Sequence, residues 1–145
     1  MASTTAICSS FKTDLMVGIH DFTTAADAFY WALYTSTATH GASTTAYSAT
    51  NEISGTNYVA KGTTNANVTP SLDGTTAYTD WADPTWSSAS FTAASTLLYN
   101  DTVTTPTADP SVAVWDFGGD QTASGGDFVL QLPTADGTTG ILRLA

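Results

Sequence analysis

The chain has 145 residues, 42% of them hydrophobic and 11% aromatic, and it sets 3 Lys and Arg against 13 Asp and Glu for a formal net charge of −10. That content suffices for one domain with a real core and excludes a disordered chain, which would lack aromatic and β-branched residues. Three scattered cations, Lys12, Lys61 and Arg143, cannot build a phosphate-binding groove or grip an anionic membrane, and the lone Cys8 cannot form an intrachain disulfide.

Residues 3–18 are the one helix candidate. Ile7, Phe11, Leu15 and Ile19 recur every four residues, with Cys8 and Met16 beside them. Ser3, Thr4 or Thr5 offers a cap at the start and Gly18 a stop at the end. After Asp21 the period changes to two. Phe29, Trp31 and Leu33 alternate with Tyr30, Ala32 and Tyr34, so both faces carry bulk and a central strand is expected. Further strands are expected at 46–48, 58–61, 67–72, 76–80, 89–93, 96–99, 112–117, 128–132 and 141–144. Turn chemistry divides them at Ser54-Gly55, Asp73-Gly74, Asp83-Pro84, Gly118-Gly119, Gly125-Gly126 and Asp136-Gly137. The polar segment 100–110, with two prolines, reads as an exposed loop. Together these elements describe a single β-rich domain over 1–145. It is a mainly β fold, an antiparallel sandwich or jelly-roll-like arrangement over 28–145, with one N-terminal helix.

The chain is poor in catalytic signatures. Asp116-Phe117-Gly118 spells the magnesium triplet of kinases, but no glycine-rich loop, paired lysine or catalytic loop accompanies it. Asp80, Asp83, Asp116 and Asp120 lack the spacing of a calcium loop, and His20 and His40 lie too far apart for a zinc pattern. No carboxylate has an evident route to a shifted pKa, so neither a glycosidase pair nor any other enzyme is expected, and neither a cofactor nor a metal. His20 follows the helix candidate, where a cation would complement the helix dipole. Asn67-Val68-Thr69 and Asn100-Asp101-Thr102 match the glycosylation acceptor pattern, but the N-terminus shows no secretion signal that would give them meaning. Trp31 and Trp115 fall inside strand patterns and read as core. Trp81 and Trp86 straddle the Asp83-Pro84 turn, a position compatible with exposure, and an exposed Trp serves best as an interface anchor.

Several tracts resemble a known family. They are AICSSFKTDLMVGIHDF, FYWALYTSTATHGASTTAYSATNEISGTNYVAKG, WADPTWSSASFTAASTLLYND, VAVWDFGGDQTASGGDF and the terminal ILRLA. Together they cover nearly the whole chain and look like a family of small virion proteins of tailed bacteriophages. The resemblance implies a non-enzymatic virion component. The preferred role is a capsid cement, or decoration, protein bound between subunits of the major capsid protein as a homo-oligomer. A tail or tail-fibre component is the alternative. No catalytic residue is carried over. A third reading, a secreted or halophilic binding domain, rests only on the acidic, Lys-poor composition. The expected interface residues are Phe11 and Leu15 on the helix, Trp81 and Trp86 at the turn, and Ile141, Leu142 and Leu144 in the C-terminal strand. That strand either completes its own sheet or adds to a neighbour's edge.

Overall fold

The computed structural model describes residues 2–23 and 26–145. Among these residues eight strands and one helix follow in chain order: β1 Ala6–Ile7, α1 Ser9–Met16, β2 Phe29–Tyr34, β3 Thr63–Thr64, β4 Ser71–Asp73, β5 Thr76–Thr79, β6 Thr85–Asn100, β7 Ser111–Val129 and β8 Leu142–Leu144. They form two antiparallel sheets, ordered β1-β7-β6-β2-β3 and β4-β5-β8. The fold is mainly β, a sandwich with a single short helix, as the alternation of β-branched and aromatic residues predicts.

The central strand is β2. It pairs with β6 over its whole length and with β3 on its other side, and Phe29, Trp31, Ala32, Leu33 and Tyr34 are all buried. The buried hydrophobics join into one cluster built largely from rings. Phe22 stacks on Phe29 at 4.7 Å, and Trp81 meets Phe29 and Trp31 edge-on at 5.5 and 5.9 Å. Farther along β6, Trp86 packs on Tyr58, Phe91 and Phe128. Such edge-to-face contacts add to plain area burial. Trp81 and Trp86 are each only 4% exposed, which overturns their reading as surface anchors. The Asp83-Pro84 turn lies at the mouth of β6, and the rings beside it point back into the cluster.

The helix is shorter than the apolar stripe suggests. Ser3, Thr4 and Thr5 do not cap it: the helix starts only after Cys8, and tertiary partners claim the Ser3 and Thr5 hydroxyls. Ser3 Oγ donates to the Ala38 carbonyl at 3.4 Å and accepts from His40 N at 3.3 Å, and Thr5 Oγ1 accepts from Asp116 N at 3.0 Å. Ala6 and Ile7 instead pair with Val114 and Ala113, and the helix begins after an extended Cys8. Gly18 ends it as expected, in a left-handed conformation (φ 73°) that lets Ile19 N reach Asp14 O at 2.9 Å.

Two pairs of expected strands are single long ones. Segments 89–93 and 96–99 both belong to β6, and 112–117 runs on as β7 to the start of 128–132, ending at Val129. The glycine pairs read as turns are irregularities within β7. Phe117, Gly118, Gly119 and Asp120 stand opposite Ala94 alone, and Gly118 and Gly119 take φ of 77° and 150°. Extra residues in one strand of an antiparallel pair make a bulge and not a reversal when the partner continues. Segment 46–48 makes only an isolated bridge between Ala46 and Pro110, and 58–61 is a turn. Of 67–72 only the end becomes β4, after a bridge from Asn67 to Trp81. The strands at 76–80 and 141–144, the Asp73-Gly74 turn and the loop after Asn100 stand where they were expected.

Polar side chains are used inside the fold as well. Glu52 accepts from Tyr47 Oη at 2.5 Å, Tyr58 Oη at 2.6 Å and Lys61 N at 2.7 Å, while Tyr58 Oη accepts from Leu33 N at 3.0 Å. One carboxylate thus ties the polar stretch between β2 and β3 to the sheet. Asn67 and Asn100, of the two glycosylation-like triplets, are buried. Asn67 Nδ2 donates to Phe22 O, and Asn100 Nδ2 reaches His20 Nδ1 at 3.1 Å and Asp27 Oδ2 at 2.7 Å. His20 is itself buried, and burial pushes its pKa down against the pull of Asp14 and Asp27. It is therefore a neutral core group and not a cation complementing the helix dipole.

Candidate functional site

The two ends of the chain meet at one place. Successive turns of α1 put Phe11 and Leu15 on the same helix face. β8 pairs with β5, Leu142 opposite Thr79 and Leu144 opposite Ala77, and this sets the C-terminal leucines across from the helix. Between them lies an open groove of about 510 Å³. Four of the expected interface residues, Phe11, Leu15, Leu142 and Leu144, line it together. Phe11 and Leu142 are buried, whereas Leu144 is 63% exposed and Met16, also in the lining, is 87% exposed. Covering an exposed Met or Leu side chain is worth roughly 1.5–3 kcal/mol, so the wet residues hold most of what a partner would gain.

Charge distinguishes this groove from the rest of the molecule. Its lining contains no Asp or Glu but does contain Lys12 and Arg143. Arg143 Nη1 donates to the Thr138 carbonyl, and the side chain stays exposed. The third cation, Lys61, is committed elsewhere, to Asp101 at 2.7 Å and Asp109 at 3.2 Å. A chain of net charge −10 therefore gathers two of its three cations beside one apolar groove.

The remaining expected interface residues separate. Ile141 is half-buried and lines a second cleft with Trp115, while Trp81 and Trp86 belong to the core. Sequence reasoning did not assign Met16, Ile7 or Tyr78 to the site. Met16 carried a usable signal, since Leu15, Met16 and Val17 are consecutive apolar residues at a helix end and cannot all face inward. Nothing in the sequence pairs Lys12 with Arg143, because only the docking of β8 on β5 brings the chain ends together.

The groove sets two positive charges beside an apolar lining, a set suited to holding a partner. Cys8 lies apart from it, fully buried, with its thiol pKa pushed up by burial. Among the described residues no three His, Cys, Asp or Glu side chains converge as metal ligands would, and no helix is long and apolar enough to cross a membrane. No family model, curated protein or solved structure matches the chain.

Proposed function

We propose that the protein is a non-enzymatic structural component of a tailed-phage virion, a capsid cement protein that seats a segment of the major capsid protein in the groove between α1 and β8. The groove carries this reading: it is apolar, open, formed by both ends of the chain and free of acid groups. The resemblance of the sequence tracts to small virion proteins supports the same assignment. Lys12 and Arg143 select an apolar segment bearing carboxylates. The stiff aromatic core fits a part that must hold shape under load. β8 pairs with β5 of its own chain, so docking through the groove does not require the C-terminus to be exchanged. A homo-oligomer on the shell remains part of the proposal.

Exposed Trp81 and Trp86 would have supported the tail reading, and both are buried. The first test is cryo-EM of intact particles of the virus that encodes the chain. Density for this fold at regular positions on the shell, with α1 and β8 facing the capsid subunits, is the expected result. Density confined to the tail overturns the assignment. A second test adds recombinant protein to expanded shells. The wild type is expected to bind and raise their heat resistance, whereas M16E/L144E, altered at two exposed positions, stays folded and fails to bind.

A further inference from the structure

The second cleft, of about 450 Å³, has a different chemistry and falls within the roughly 300–1,000 Å³ of small-molecule sites. The bulge in β7 helps to build it. Trp115 and Asp116 precede the bulge, Phe117 is its first residue and Gln121 follows it, and all four line the cleft. A non-glycine residue at Gly118 would be strained at φ 77°, so the glycine pair is what lets β7 make this excursion. The far wall comes from Phe128 at the end of β7 and from Gln131 beyond it.

Three half-buried rings line the space. Trp115 lies against Trp31 at 5.3 Å, and Phe117 lies 6.3 Å from Phe128. Between them stand polar groups that the fold leaves unused. Asp116 Oδ1 accepts from Gly118 N at 3.2 Å, while its other oxygen has no partner among the described residues. Gln121 uses only its Nε2, in a 3.5 Å contact with Gly119 O, and the Gln131 side chain makes no hydrogen bond among the described residues. Trp31, fully buried beneath the cleft, has an indole N–H with no acceptor among the described residues.

Flat apolar faces beside a carboxylate and two primary amides match one class of molecule. A pyranose ring presents a C–H face that covers an aromatic ring, and its rim of hydroxyls both donates and accepts, as carboxamides and carboxylates require. No cation lines the cleft, and Asp116 adds negative charge, so an acidic ligand is disfavoured. We propose that this cleft binds a neutral hexose-based oligosaccharide, with a sugar ring against Trp115 and Phe117 and its hydroxyls held by Asp116, Gln121 and Gln131. The assignment stands apart from the groove between α1 and β8 and does not rest on it.

The test titrates the full chain with maltotriose, cellotriose and triacetylchitotriose, using trigalacturonate as the anionic control. Amide shifts are followed by NMR together with tryptophan fluorescence. At least one neutral trisaccharide is expected to saturate with a Kd of about 1 mM, with shifts centred on residues 115–121 and 128–132. Gln131→Ala and Gln121→Ala, both at exposed positions, are expected to weaken binding about fivefold each with an unchanged melting temperature. No saturable response to any neutral trisaccharide, shifts centred on another surface, or equally tight binding of trigalacturonate overturns the proposal.

Discussion

Glu52→Ala is expected to cost about 3–4 kcal/mol of folding stability. The figure follows from what the carboxylate holds. It accepts three hydrogen bonds of 2.5, 2.6 and 2.7 Å from Tyr47, Tyr58 and the Lys61 amide. Removing it strands the proton of Tyr58 Oη, whose oxygen is already engaged by Leu33 N, and strands the Lys61 N–H. Each stranded, partly buried donor costs roughly 1–3 kcal/mol, while Tyr47 turns to water at little cost. Glu52→Gln keeps the shape and one acceptor oxygen, and its amide can donate to Tyr47 Oη once that hydroxyl rotates, so it should cost only about 1 kcal/mol. Urea denaturation followed by tryptophan fluorescence measures both. With a slope of about 2 kcal/mol/M, Glu52→Ala should lower the midpoint by roughly 1.5–2 M, and Glu52→Gln by about 0.5 M. Equal losses for the two variants, or a loss below about 1 kcal/mol for Glu52→Ala, would refute the argument that satisfied acceptors anchor this segment.

Three further outcomes are expected. Trp86→Ala removes a ring packed on Tyr58, Phe91 and Phe128, so it should cost about 3–5 kcal/mol and erase much of the near-ultraviolet CD; a native-like spectrum and midpoint would contradict core placement. Gly62→Ala would put a Cβ 1.9 Å from the Trp31 carbonyl oxygen at φ 84°, whereas Gly74→Ala at φ 62° meets nothing within 4 Å; the first should cost at least about 4 kcal/mol and the second about 1–2 kcal/mol in thermal melts, and similar losses would refute the close approach. Tyr34, Tyr47, Tyr58 and Tyr99 have pKa values pushed above the ordinary range, first by burial and then by neighbouring groups, Glu52 beside the first three and Asp101 beside Tyr99. Their folded pKa values exceed the unfolded value of about 10, so the stability they contribute is full below that pH and lost as pH rises above it. Absorbance at 295 nm should therefore show tyrosinate forming together with loss of far-ultraviolet CD; independent titration of these four near pH 10 in an intact fold would count against their burial.

The fold class was legible because strand periodicity is local. β2 announces itself by bulk at nearly every position, and β5 and β8 by short runs of strand-favouring or alternating residues next to turn residues. The errors share one cause: side-chain type fixes a local preference, while partner geometry decides the outcome. Gly118-Gly119 has turn chemistry, yet β6 continues past it and the chain bulges. Ser3 and Thr5 have capping chemistry, yet Ala38 and Asp116 take their hydroxyls. Trp86 beside a turn looked exposed, but Phe91 and Phe128 were waiting to cover it.

The candidate site divides in the same way. Phe11, Leu15, Leu142 and Leu144 were identifiable one by one from apolar patterning at the two chain ends. That they face a single groove, and that Lys12 and Arg143 stand beside it, follows only from the pairing of β8 with β5 near α1. The unpaired polar groups around Trp115 were equally invisible, since whether an amide or carboxylate is satisfied depends on neighbours distant in sequence. By itself the sequence determined a β-rich, acidic chain with two apolar ends, because composition and alternation are properties of consecutive residues. The tertiary structure decided which rings became core, where the glycines bent the sheet and which residues share a surface, because burial and proximity exist only once distant segments pack together.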